Sequence, residues 1–259
     1  MNEPLVSVII PVYNGEPYVR ECIENMLKQS YHKLDIIIVD DGSADNSAKI
    51  AAEYPVTCIR LPDNRGISVA RNMGMDIAKG DYIHFMDVDD SINADFYKEM
   101  VAAIMETGAD IACCGMMNEP KPHRTVLFTK QVIATSIDDK LKATNVGKWG
   151  FSVRYLFKKA LLQTHHLRFV EGRLIEDLPF SLSAVYFSEK LVTVPNAVYT
   201  YILRENSVMT RKDRAHRKRR HRDMRYVKEF RHRFARKHHF KIPGIPTGMF
   251  SLFFVKWFT

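Results

Sequence analysis

Asp87, Asp89 and Asp90 close the run Asp81-Tyr82-Ile83-His84-Phe85-Met86-Asp87-Val88-Asp89-Asp90. Three carboxylates at the end of an apolar stretch form a donor set for a hard divalent cation. The half-apolar segment from Tyr82 to Met86 reads as a strand entering a core, and open α/β sheets place their ligands just beyond the carboxyl ends of their strands. In an extended chain Asp87 and Asp89 share a face, whereas Asp90 points elsewhere unless the chain turns. Mg²⁺ or Mn²⁺ would keep several waters there and take further ligands from substrate phosphates. The same residues also read as an acidic turn capping a helix that starts near Asn93.

Two more polar loops follow predicted strands. Pro11-Val12-Tyr13-Asn14-Gly15-Glu16 offers an aromatic ring to stack on a base and polar groups to read its edge. In Val39-Asp40-Asp41-Gly42-Ser43 a carboxylate can accept a hydrogen bond from an imide N–H such as that of uracil. Each loop alone reads as an ordinary strand-to-helix turn. Together with the Asp87 cluster they converge on one edge of one sheet. Asn64-Arg65-Gly66-Ile67-Ser68-Val69-Ala70-Arg71-Asn72 brings a cation to that edge: Arg71, about one turn into a helix beginning near Ile67, can reach a diphosphate, buttress the Asp87 cluster or stand exposed. In Arg173-Leu174-Ile175-Glu176-Asp177-Leu178-Pro179-Phe180, Asp177 reads equally as a rigidly held base or as the cap of a helix with Pro179 in its first turn.

These residues need a scaffold, and the chain supplies one. Strands are predicted over 6–12, 34–39, 56–61 and 82–86, with helices over 18–29, 47–54 and 67–78 between them, which implies a mostly parallel α/β sheet covered on both faces. A helix over 94–108, strands over 110–115, 151–156 and 192–201 and a helix over 178–187 follow, while 116–145 gives no clear pattern. With 259 residues, 46% of them hydrophobic, a substantial core can form. Cys22, Cys58, Cys113 and Cys114 show no CxxC pairing, as expected in a reducing compartment. No cleavable leader pattern opens the sequence and no apolar run is long enough to span a bilayer, so a cytoplasmic location is expected.

The charge is uneven. The formal net charge is +8, yet between Arg211 and Lys241 only Asp213, Asp223 and Glu229 oppose a dense series of arginines and lysines. With Met224, Val227, Phe230 and Phe234 on one side, and the aromatic run Met249 to Phe258 beyond, this 211–258 tail suits an anionic membrane surface. The alternatives are a solvated helix with one packed apolar face, or nucleic-acid binding, which no recognised motif accompanies and which is not expected.

In order and spacing, the Pro11 loop, Asp40-Asp41-Gly42-Ser43, Asn64 to Asn72 and Asp87-Val88-Asp89-Asp90 resemble the motifs of family 2 glycosyltransferases of the bacterial surface-polysaccharide type. The resemblance is dense over the first hundred residues and continues through Glu176-Asp177 and Tyr201 to Ser207. It implies a GT-A nucleotide-diphospho-sugar transferase fold over 1–207, with 1–115 as the nucleotide-binding half and 116–207 as the acceptor-binding half, followed by a basic helical extension over 208–259. It also implies metal-dependent, inverting transfer from a nucleotide-sugar donor, a UDP-sugar, to a saccharide or lipid-linked acceptor at the inner face of the membrane. By the same resemblance Pro11, Tyr13 and Glu16 lie in the nucleoside pocket, Asp41 with its neighbour Asp40 binds uracil, and Arg71 supports the diphosphate region. Asp87 faces the ribose, Asp89 ligates Mn²⁺ or Mg²⁺ with Asp87 as its companion, and Asp177, paired with Glu176, is the general base. Val88 stands where the family commonly has serine, and a homodimer is compatible with the pattern. A sugar nucleotidyltransferase would want a Gly-rich basic loop after the first strand, which Pro11 to Glu16 lacks. A noncatalytic membrane or polyanion-binding adaptor would have no need of Asp41, Asp87, Asp89 and Asp177 together.

Overall fold

The computed structural model describes residues 3–119, 122–202 and 213–245. Strand and helix alternate from the start: β1 (Val6–Val12), α1 (Glu16–Leu27), β2 (Leu34–Asp40), α2 (Ser47–Ala51), β3 (Thr57–Arg60), α3 (Ile67–Ile77) and β4 (Tyr82–Phe85). All of β1 is buried, because β2 and β4 flank it in parallel and helices cover both faces. Its side chains alternate between two core layers. Val6, Val8, Ile10 and Val12 pack with Val19, Ile23 and Met26 of α1, whereas Ile9 packs with Ala70 of α3 on the opposite face.

Helix α3 lies close on β1 because residue 74 has no side chain: a methyl at Gly74 would stand 2.4 Å from Cγ2 of Ile9. Gly74→Ala gains about 1 kcal/mol of helix propensity but forces an overpacked contact costing about 1–3 kcal/mol. The expected result is a lower melting temperature, by about 2–4 °C for each kcal/mol lost. Calorimetry checks this; an unchanged or higher melting temperature would mean that α3 and β1 can separate without cost.

The remaining elements are β5 (Ser91–Ile92), α4 (Phe96–Thr107), β6 (Ile111–Asn118), β7 (Ile133–Ala134), α5 (Ile137–Thr144), β8 (Tyr155–Lys158), α6 (Lys159–Thr164), α7 (Asp177–Phe187), β9 (Leu191–Tyr201) and α8 (Arg214–Lys237). They complete a sheet of order β3-β2-β1-β4-β8-β6-β9-β5, with β7 also on β9. The expected parallel arrangement holds across β3-β2-β1-β4 and changes at β8, which pairs antiparallel with both β4 and β6. A short buried strand looks the same in sequence whichever way its neighbours run. The strand expected at 151–156 also lies further along, at β8, and is preceded by a 3₁₀ turn over Ser152–Arg154. That turn is held by side chains: the fully buried Arg154 donates from Nε and Nη2 to the Cys114 carbonyl and from Nη1 to that of Thr144.

The basic helix expected in the tail is α8, and it shares the core of the sheet domain. Val227 and Ala235 belong to the same buried cluster as Phe85, Phe157 and Phe180, with Phe230 and Phe234 packed against it. Phe234 meets Tyr186 of α7 edge-on at 5.3 Å. Val227 is thus taken up by the core, Met224, Phe230 and Phe234 are half-buried, and Arg217, Lys218, Arg220 and Arg233 face outward. The 249–258 aromatic run lies outside the described residues.

Candidate active site

The carboxyl ends of β1, β2 and β4 meet at one edge. Pro11 is tolerated inside a central strand because the Ile9 carbonyl, which faces β4, already accepts the N–H of Met86, so two residues on the missing N–H falls beyond the last β4 rung. The next two loops are sewn together. Backbone N–H groups of Asn14, Gly15 and Glu16 donate to Ser43 Oγ, Ser47 Oγ and Asp45 Oδ2 at 2.9, 2.9 and 3.0 Å. In return the Glu16 carboxylate accepts from Asn46 N and Nδ2, bonds that hold its carboxyl below the ordinary range. Tyr13, 53% exposed, stands at the rim.

Asp40 and Asp41 are buried beneath these loops. Asp40 accepts from the backbone of Ser43 through Oδ1 and faces Arg60 Nε at 3.3 Å through Oδ2. Asp41 accepts the N–H groups of Arg65 and Gly66, each at 2.8 Å, one on each oxygen, and so fixes the loop ahead of α3. A carboxylate oxygen keeps a further acceptor site after one such bond. Glu16, Asp40 and Asp41 thus combine wall-building with any role toward a nucleoside.

The acidic segment after β4 is a turn and not an extended strand end. The Asp90 N–H donates to the Asp87 carbonyl, and the Tyr199 hydroxyl on β9 clamps both residues, accepting the Asp87 N–H at 3.3 Å and donating to Asp90 Oδ2 at 2.6 Å. Asp90 also accepts the Ile202 N–H at 2.9 Å. Burial and the charge of Asp87 push its carboxyl up to about 8. Asp87 and Asp89 do not share one face as an extended chain would require: Asp87 turns to α3, and Asp89 lines a cleft of about 240 Å³ with Tyr18, Cys22 and Asn25 of α1. Among the described residues no three His, Cys, Asp or Glu side chains are gathered to hold a metal by themselves. Two part-exposed carboxylates of hard oxygen still suit Mg²⁺ or Mn²⁺, whose other positions go to water and phosphate oxygens.

Arg71 is the hub. Its side chain is 1% exposed, and it takes the buttressing position among those its sequence context allows. Nη2 donates to Asp87 Oδ1 at 2.8 Å, and Nη1 donates to Glu176 Oε1 at 2.8 Å and Asp177 Oδ1 at 2.9 Å. Its guanidinium carbon lies 5.1 Å over the ring of Phe169, whose main chain is held at both ends by the Asn72 side chain at 3.0 Å. One buried cation thus faces three carboxylates, of which Glu176 is buried and Asp87 and Asp177 are part-exposed. Burial and the neighbouring charge of Asp177 push Glu176 up to about 8. Burial raises Asp177 as well, opposed by Arg71 and by Ser152.

Asp177 does not cap its helix. Glu176 is the N-cap residue of α7 and makes no side-chain capping bond; Asp177 instead accepts from Arg71 and from the Ser152 hydroxyl. Ser152 sits beside Val153, whose carbonyl accepts from His84 Nε2 at 2.9 Å. That bond fixes the tautomer, so His84 Nδ1 accepts from the Tyr97 hydroxyl. Burial pushes the His84 imidazole down to about 4, so it is neutral behind the acidic turn. Ser152 and Tyr199 were not singled out in the sequence; both are far along the chain from the carboxylates they hold.

A β-α-β-α-β-α-β half ending in polar loops, a mixed second half and a carboxylate turn at their junction define the GT-A class of glycosyltransferase fold. A model of glycosyl transferase family 2 matches residues 7–163, and the chain belongs to that family. The match includes Arg71, Asp87 and Ser152 and stops short of Asp177. The uncharacterized glycosyltransferase EpsJ of Bacillus subtilis is 32% identical over 216 residues, covering 79% of this chain and 63% of its own length. The S. aureus TarS structure in complex with UDP-GlcNAc superimposes with a TM-score of 0.74 at 24% identity, covering 87% of this chain and 66% of that one. The mannosyltransferase PcManGT of Pyrobaculum calidifontis, in complex with GDP-Man and Mn²⁺, superimposes with a TM-score of 0.63 at 20% identity, covering 94% of this chain and 67% of that one. At these identities the two structures establish the fold.

Proposed function

We propose that the protein is a metal-dependent inverting glycosyltransferase that moves a sugar from a UDP-sugar to a hydroxyl of a saccharide or lipid-linked saccharide, with Asp177 as general base. The observation that carries this reading is the Arg71 guanidinium, which donates to Asp87 of the acidic turn at 2.8 Å and to Asp177, 106 residues further along the chain than Arg71, at 2.9 Å. Two motifs so distant in sequence share one buried cation, as a donor site and a proton acceptor flanking the same reacting carbon would.

In this reading Pro11, Tyr13 and Glu16 shape the nucleoside pocket, with Asp41 and Asp40 beneath the base and Asp87 toward the ribose. Asp89, with Asp87, would hold Mg²⁺ or Mn²⁺, which when bound supplies positive charge against the leaving diphosphate. Arg71 serves the diphosphate region through Asp87, since its bonds commit it to carboxylates. Asp177 removes the proton of the acceptor hydroxyl as that oxygen attacks the anomeric carbon opposite the diphosphate, so an α-linked donor yields a β-glycoside. Burial pushes the carboxyls of both Glu176 and Asp177 up, with Arg71 opposing the rise at each and Ser152 opposing it at Asp177. No helix among the described residues is long and apolar enough to cross a membrane; the outward cations of α8 support peripheral attachment to an anionic, cytoplasmic membrane face.

Calorimetric titration of UDP and GDP with and without Mn²⁺ tests the donor half. UDP is expected to bind in a Mn²⁺-dependent way, and Asp89→Asn to weaken that binding about tenfold or more, roughly 1.4 kcal/mol. Folded protein that binds neither nucleotide would overturn the assignment.

A further inference from the structure

We infer that Asp223, in the middle of the basic helix α8, is a positioning residue for the loop that carries Glu176 and Asp177, so that α8 belongs to the active-site machinery. This rests on the proposed role of Asp177. Asn72 and Arg71 hold the two ends of the loop that leads from Phe169 to α7, at Phe169 and Glu176, and its middle is held by α8. Among the described residues, 170–175 form no helix or strand, with a turn at 171–172. This segment's main-chain anchors both come from α8: the Leu174 N–H donates to Asp223 Oδ2 at 2.8 Å, and the Gly172 carbonyl accepts from Arg219 Nη2 at 3.4 Å.

Asp223 is built for this task. Its carboxylate is 0% exposed and faces inward from a helix otherwise crowded with outward cations. A buried carboxylate is costly unless its lone pairs are filled, and here they are: besides Leu174, Oδ1 accepts from Arg173 Nη1 at 3.0 Å and from Arg222 Nε at 3.3 Å. Those bonds keep the carboxyl below its ordinary range despite burial. One turn on, Tyr226 receives the Arg173 guanidinium over its ring at 4.1 Å, so α8 grips this residue twice. The helix is in turn fixed to the domain, by Arg231 Nη1 on the Gly147 carbonyl at 3.2 Å and by Phe234 against α7. Leu174 lies three residues before Asp177. A displacement of the loop there moves the base relative to Arg71, and a misplacement of about 1 Å can cost about 10²-fold in rate.

The test compares wild type with Asp223→Ala, which removes the acceptor, and Asp223→Asn, which keeps an acceptor for the Leu174 N–H. The first readout is amide hydrogen exchange. Asp223→Ala should speed exchange over 170–177 by about tenfold or more and leave 64–90 unchanged, with Asp223→Asn between the two, since its amide nitrogen faces the Arg173 and Arg222 donors. The second is UDP release from UDP-glucose, UDP-galactose and UDP-N-acetylglucosamine in water with Mn²⁺. For donors that wild type turns over, kcat should fall about ten- to a hundredfold in Asp223→Ala, with donor KM and Mn²⁺-dependent UDP affinity within twofold. If Asp223→Ala does not fold, Arg173→Gln takes its place in both readouts. Unchanged exchange over 170–177, or faster exchange spread equally over the sheet with UDP affinity falling in parallel, would overturn the inference and leave Asp223 a plain packing contact. A wild type that binds neither UDP nor GDP would instead remove the glycosyltransferase reading, while the exchange readout would still report on the brace itself.

Discussion

Asp177→Asn is expected to slow sugar transfer by about 10²- to 10⁴-fold, the usual contribution of a general base, while Mn²⁺-dependent UDP affinity stays within about twofold. The substitution is mild where structure is concerned. An asparagine oxygen can still accept from Arg71 Nη1 and from the Ser152 hydroxyl, the two donors that hold Asp177 in place. What the amide loses is the capacity to take a proton. Because burial holds the Asp177 carboxyl above its ordinary range, the wild-type rate should fall on the acid side at a higher pH than an exposed aspartate would give, and the variant's residual rate should lack that limb. Initial rates of UDP release across pH check both statements. A variant within threefold of wild type would disqualify Asp177 as the base.

Arg71→Met should be the most damaging single change to stability. It removes the shared donor of Asp87, Glu176 and Asp177, whose side chains are 31%, 5% and 27% exposed. Breaking a buried ion pair from one side costs about 3–5 kcal/mol. The loss should grow with pH. Without the cation, burial and mutual repulsion hold the carboxyls above their unfolded values, so the native state binds more protons than the unfolded one and stability drains away as pH rises past those unfolded values. Urea unfolding at pH 5 and pH 8 should therefore show the larger deficit at pH 8. Arg71→Lys keeps a charge but offers one compact ammonium in place of a fork, so it should recover part of the stability and little of the transfer rate. A loss below about 1 kcal/mol at both pH values would mean that the three carboxylates do not depend on Arg71.

Much of the first half of the molecule was legible. β1 runs over the predicted residues, and α3 begins at Ile67 as read, because strands buried on both faces leave unbroken apolar runs and the helices between them keep a clear period. The site was legible as a set of polar residue types at one sheet edge. Their partners were not. Asp41 looks like an outward-facing acceptor and bonds to the loop ahead of α3; Glu16 looks like a pocket residue and reads Asn46. Asp89 parts from Asp87 because a turn replaces the extended segment, and what holds that turn is the Tyr199 hydroxyl, 109 residues from Asp90. Ser152 likewise acts across 25 residues on Asp177. A serine, a tyrosine or a helical aspartate carries no local mark of such a task; the fold confers it by long-range contact. The antiparallel insertion of β8 has the same cause, since pairing direction is a property of the sheet and not of the strand.

The anchors of the 170–175 loop also set a clock. Leu174 waits for Asp223, 49 residues further along the chain, and Gly172 for Arg219, 47 residues on. At about 5–20 residues per second of synthesis, a growing chain completes the donor-side loops, the acidic turn and Asp177 itself several seconds before the helix that steadies Asp177 exists. During that interval the nascent protein can form β1 to β4 and hold Arg71 against Asp87, but the 170–175 loop has no brace. Order in this loop therefore waits until residue 223 has been made, and a chain cut short before it would hold Arg71 against Asp87 with the 170–175 loop unsecured.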